Sequence, residues 1–330
     1  MYKLIVVFAL FLPTWAFANC NGVDQTSGIQ RNDPTGYERI VAAASALPNG
    51  NGVMWKVSKT GLSDSYLIGT NHVVSSVAKT FIGTFKAVLP SARVLLVELS
   101  KAEEAEMTEA MGTNPNLIFD MSGRMLVDYL PPEDHALAEE AFASLGLDFT
   151  TGSRLSPTFI QILTAIPVCA QVAAAQNPEL KMDSVLMATA EAADVPVVGL
   201  ETWERQISAF SKQPRDVLED SARISLQLWR NIEDNFATVE AMYQRGEIAN
   251  IWEYSRYISE AVADVDVVDR AMAAVQVELL DRRNIEMAES AAGYLKEGGA
   301  VVAVGALHLI GEVGLVELVR KQGYTVERIK

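Results

Sequence analysis

Four short apolar runs in this chain, each too short for an ordinary helix, all lead into a single polar side chain. Tyr66-Leu67-Ile68-Gly69 leads through Thr70-Asn71 to His72, and Arg93-Val94-Leu95-Leu96-Val97 ends on Glu98. Val195-Pro196-Val197-Val198-Gly199-Leu200 ends on Glu201, and Ala300-Val301-Val302-Ala303-Val304 leads through Gly305-Ala306-Leu307 to His308. Brief Val-, Ile- and Leu-rich runs bounded by turn residues read as strands. Helical patterns fill the chain between them, so the fold class expected is α/β, a mixed sheet flanked by helices. Open α/β sheets bind ligands outside the carboxyl ends of their strands. The four polar endings therefore nominate His72, Glu98, Glu201 and His308 as one candidate site.

The surrounding pattern supplies the other elements. Runs 53–58 and 65–69 are expected to pair as a hairpin, with helices over 35–46 and 78–89. Ser100 with Glu103 spells a capping box, Pro157 opens a helix expected to run through Cys169, and 182–193 reads as another helix. No strand pattern occurs over 203–297, where amphipathic segments such as Val217, Ile224, Leu228 and Ile232 predict a large helical insert. A helix over 314–322 and a strand over 324–329 close a single domain that begins at residue 19.

Residues 1–18 read as an export signal, with Lys3, an apolar stretch over 4–12, and Ala16-Phe17-Ala18 as the cleavage site. The stretch is too short to span a bilayer, so the expected location is periplasmic, with no membrane span after the signal is removed. The chain is acidic: 42 Asp and Glu against 27 Lys and Arg give a net charge of −15. That balance argues against nucleic acid or an anionic membrane surface as partner and leaves a peptide or small-molecule substrate. The two cysteines, Cys20 and Cys169, would both meet an oxidising compartment, where a disulfide is expected. Closing so long a loop gains roughly 4–5 kcal/mol in the chain-entropy picture. The alternative is one buried thiol and one exposed near the terminus.

Two of the three histidines share the phrase Gly-x-x-His after an apolar run. Two imidazoles and two carboxylates can hold a divalent cation with open positions for water. They can also work without one, a histidine or glutamate serving as general base. The glycine before each histidine would allow a tight or left-handed turn, or close approach of a ligand to the backbone. Asp183 reads as a helix-capping residue and His135 as a solvated surface residue. Trp55, Trp203, Trp229 and Trp252 suit the core, with a substrate groove as the other reading.

The stretches Tyr66 to His72, Val97-Glu98, Pro196-Val197-Val198-Gly199-Leu200-Glu201-Thr202, and Val304 to Gly311 continuing to Gly323-Tyr324-Thr325-Val326 together closely resemble the TraB/GumN family, which includes the Tiki proteases. Arg283-Asn284 and Cys20-Asn21-Gly22 resemble its exported bacterial branch. The resemblance implies an erythromycin-esterase/ChaN-like fold and a metal-dependent, peptidase-like hydrolase. His72, Glu98 and His308 would be its metal ligands, of unspecified metal, and Glu201, Arg283 and Asn284 would complete the catalytic set. Arg283 would then orient a substrate carboxylate or stabilise an oxyanion. Leu307 stands where the family commonly has glycine. The competing expectation is a non-catalytic protein that binds a peptide, haem or a metal on the same scaffold.

Overall fold

A computed structural model describes residues 20–73 and 79–329; the expected export signal lies outside them. Six strands form one sheet: β1 (Met54–Ser58), β2 (Ser65–Thr70), β3 (Val94–Val97), β4 (Val197–Gly199), β5 (Ala300–Gly305) and β6 (Thr325–Arg328), in the order β4-β3-β5-β2-β1-β6. β2, β5, β3 and β4 are mutually parallel, while β1 runs antiparallel to β2 and β6 antiparallel to β1. The mixed α/β sheet is as expected. The four parallel strands are those whose ends carry the nominated residues, so those residues share one edge.

Strand alternation explains why these runs are apolar throughout. Met54, Ile68, Leu95, Val97, Val301 and Ala303 face one layer with Met182, Leu186, Met242, Tyr243, Ile248 and Tyr254. Their neighbours Trp55, Leu67, Val94, Leu96, Val302 and Val304 face the other, with Met287, Ala291, Leu295, Leu315 and Val319. A sheet covered on both faces needs apolar residues at consecutive positions. The strandless stretch from Trp203 to Lys296 contributes helices to both layers. A third cluster, around Phe142, Ile160, Leu226 and Trp229, packs helix on helix away from the sheet.

Several local expectations are corrected. The helix opened by Pro157 stops at Thr164, and a second runs Val168–Gln176 at 76° to it; Pro167 at its N-cap, with no N–H to give, explains the break. The run before Glu201 keeps strand pairing only over Val197–Gly199, because Pro196 has no donor for the ladder. Ser100 does cap the Lys101–Thr113 helix, but Glu103 completes no box: its carboxylate accepts the Trp203 N–H at 2.8 Å, joining two helix starts. His135 is half-buried, bonded to the Leu130 carbonyl at 3.1 Å and beside Phe149. Cys20 and Cys169 are disulfide-bonded across a sequence separation of 149. Trp55 and Trp229 are core residues. No single described helix is long and apolar enough to cross a membrane.

Candidate functional site at the carboxyl edge of the sheet

Each nominated side chain sits just past its strand. His72 follows β2 by two residues, Glu98 follows β3 directly, Glu201 follows β4, and His308 lies in the single 3-10 turn Ala306–Leu309 after β5. Parallel pairing of Gly69 with Val304 and of Thr70 with Gly305 brings the two Gly-x-x-His turns side by side. Neither glycine has a positive φ, so the left-handed turn is not their purpose; space is. A Cβ on Gly69 would come within 2.9–3.0 Å of Ala306, which packs the first motif against the second. A Cβ on Gly305 would lie 3.1 Å from His72 Nε2, 3.3 Å from Glu98 Oε1 and 3.6 Å from His308 Cδ2. The missing side chain leaves a cradle ringed by the three residues expected to hold a metal.

Arg283 organises the interior of the site. It reaches the sheet edge because its helix is interrupted by a π segment, Gln276–Asp281, immediately before the helix Arg282–Lys296. Such segments shift the phase of the residues that follow and recur at functional sites. Its Nη2 donates to Glu98 Oε2 and Glu201 Oε2, both at 2.7 Å, and Nε donates to both Glu201 oxygens at 3.0 and 3.1 Å. Its Nη1 donates to the Leu279 carbonyl and to His308 Nε2, each at 3.2 Å. All five guanidinium N–H groups are thereby occupied by protein acceptors. No donor is open toward a substrate carboxylate or an oxyanion in this arrangement, and the Nη1 N–H on His308 is the one that a cation on that imidazole would free. The arginine orients the protein's own carboxylates.

This network sets protonation states. A guanidinium only donates, so His308 Nε2 accepts, and its Nδ1–H donates to Asn284 Oδ1 at 2.6 Å. Burial, together with the Arg283 and His72 charges, pushes the His308 pKa down to about 4 and outweighs the pull of Glu98. Burial alone would raise the Glu98 carboxyl. His308, His72, Arg283 and the Gly305 N–H at 2.6 Å outweigh it and hold that pKa at about 2. Glu201 is raised by burial and by Glu98, against the pull of Arg283.

His72 lies at the open side. Withdrawal from water would lower its pKa, but the Asp183 carboxylate at 2.9 Å, helped by Glu98, outweighs this and raises it to about 9. The side chain is 61% exposed, so desolvation opposes the charge only weakly and the upward direction stands. Asp183 corrects another expectation. The N-cap of the Met182–Ala192 helix is Lys181, and Asp183 lies inside the first turn with its oxygens on Thr70 and His72. Nothing in its local sequence marks that role; only the fold brings it to the histidine.

The donor set fits a divalent cation by its chemistry. His72 Nε2 and Glu98 Oε1 line the cradle, and His308 Nε2 is 3.8 Å from Glu98 Oε1, a span that two ligand bonds of about 2 Å can bridge. Arg283 shares the His308 lone pair and would have to release it, and His72, raised to about 9, would have to give up its Nε2 proton. Among the described residues, no three His, Cys, Asp or Glu side chains are already gathered as a metal site. The family model for TraB/PrgY/gumN matches residues 53–328, which takes in every residue of the site. Comparison with curated proteins and with solved structures gave no match.

Proposed function

We propose that this chain, which belongs to the TraB/PrgY/gumN family, is an exported hydrolase that cleaves a peptide or a related amide or ester at the carboxyl edge of its sheet. The observation that carries the reading is the convergence of His72, Glu98 and His308 on the space above Gly305. A divalent cation there, held by these three residues, would polarise the scissile carbonyl and lower the pKa of bound water toward 7. The chain's own groups prepare that chemistry. Arg283 and the Gly305 N–H keep Glu98 ionised and fixed in place. Asn284 and Arg283 select the His308 tautomer whose Nε2 faces inward. Glu201 anchors the guanidinium through three contacts, so that one buried cation orients two carboxylates and one imidazole at once. His72, at the solvent side, is the residue that an incoming substrate meets first.

Export is supported by the leader over 1–18 and by the disulfide between Cys20 and Cys169. The deciding experiment is metal analysis of the purified protein together with hydrolysis of a peptide library, with His72→Ala and His308→Ala alongside. Turnover that is lost in both variants is expected. Turnover unchanged in both would remove the proposed centre, and tight retention of a peptide, haem or metal without turnover would make the protein a binding protein instead.

A further inference from the structure

Asp183 does not cap its own helix. The N-cap there is Lys181, which makes no side-chain cap, and both Asp183 oxygens turn toward the sheet. Oδ1 accepts the Thr70 hydroxyl at 2.7 Å, and Oδ2 lies 2.9 Å from His72 Nδ1. An ionised carboxylate only accepts, so the proton of that contact sits on Nδ1. Nε2 is then the nitrogen that faces the cradle above Gly305. Backbone contacts hold the rest of the motif: the Tyr243 hydroxyl donates to the Gly69 carbonyl at 2.7 Å, and the Asn71 N–H reaches Met182 Sδ at 3.4 Å. The His72 ring itself is exposed, and among the described residues Asp183 is its one hydrogen-bond partner. Without that carboxylate no hydrogen bond among the described residues holds the ring, while the backbone contacts remain.

We propose that Asp183 is a positioning residue that aims His72 Nε2 into the cradle, with Thr70 bracing the carboxylate in the required rotamer. A carboxylate behind a histidine fixes the ring's orientation and tautomer and strengthens the far nitrogen as a donor to a cation. The inference rests on the hydrolase reading only for the task Nε2 performs; the aiming of the ring does not depend on it. The rival account is mechanical: Asp183 clamps its helix to the end of β2 through Thr70, and its contact with His72 is incidental.

Two readouts separate these accounts in the purified full-length mature chain. The first is the His72 Nδ1–H resonance in the metal-free protein, assigned with His72→Gln. The Asp183 contact is expected to slow its exchange enough to make it visible, and Asp183→Ala abolishes it. The second is Zn2+ affinity by calorimetry. Asp183→Asn, which keeps the side-chain shape and guards against misfolding, is expected to weaken binding 10–100-fold, while Thr70→Val weakens it less. A His72 signal unchanged in both Asp183 variants would overturn the proposal, as would Zn2+ affinity that holds while thermal stability falls equally in Asp183→Asn and Thr70→Val. If the wild-type chain binds no Zn2+, zinc is excluded as the metal, and the His72 resonance alone decides the role of Asp183.

Discussion

Replacing Gly305 with alanine tests the site while leaving the fold almost untouched. Gly305 has φ −52° and ψ 136°, a conformation open to any L-residue, so the methyl brings no backbone strain. It meets His72 Nε2 at 3.1 Å and Glu98 Oε1 at 3.3 Å, contacts that require shifts of a few tenths of an ångström. His72 is exposed and can yield. Glu98 is held by Arg283 and the Gly305 N–H and yields less. Against this cost, glycine-to-alanine changes at compatible sites stabilise by about 0.4–1 kcal/mol through the unfolded chain. The net effect on urea unfolding should therefore stay within about 1 kcal/mol of zero. Function should respond very differently, because the methyl fills the space on which the three side chains converge. A misplacement of about 1 Å at a reacting centre costs on the order of 100-fold. The displacements here are smaller, so peptide hydrolysis and Zn2+ affinity, measured beside the unfolding curve, are expected to drop by roughly 10–100-fold. A variant that folds, binds Zn2+ and turns over like wild type would refute the cradle as the site of chemistry.

Arg283→Met should cost about 3–5 kcal/mol in urea unfolding, because it leaves Glu98 and Glu201 buried without their cation. Adding Glu98→Gln and Glu201→Gln should recover much of that loss, and a cost under about 1 kcal/mol for the single change would contradict the network's importance. Acid should destabilise the fold from an unusually high pH. His308 titrates near 4 when folded against 6.5 when unfolded, so the unfolded chain takes the proton first and stability falls as the pH drops from 6.5 to 4, by roughly 3 kcal/mol. Glu98, depressed from 4.5 to about 2, extends the loss below 4.5. His72, raised to about 9, acts in the opposite window, its contribution complete below 6.5 and lost as the pH rises toward 9. Urea titrations across pH 4–7 should show the upper acid limb, and His308→Gln should flatten it.

The four parallel strands were legible because the sheet carries helices on both faces there, so each left a short apolar signature leading to its functional residue. The termini of β4 and of the helix opened by Pro157 were less so, since single prolines, Pro196 and Pro167, decide them through donors they lack. Within the site, residues leaving parallel strands could be placed from the strand ends alone. Asp183 could not: its acidic side chain in a helix's first turn looks like any capping carboxylate until packing brings that helix to His72. Arg283 could be assigned to the site from the sequence but its contacts could not, because nothing in the sequence shows that Glu201, Glu98, Leu279 and His308 take its donors.

The π segment over Gln276–Asp281 has a bearing on how this family of sites can change over time. Each residue added to or removed from a helix rotates everything beyond it by about 100°. A π turn carries one residue more than an α turn, so a one-residue deletion there would restore a regular α-helix while Arg283 and Asn284 keep their facing toward the two carboxylates and His308. Length variation that a plain α-helix would pass on to the whole centre is, in these six residues, taken up locally.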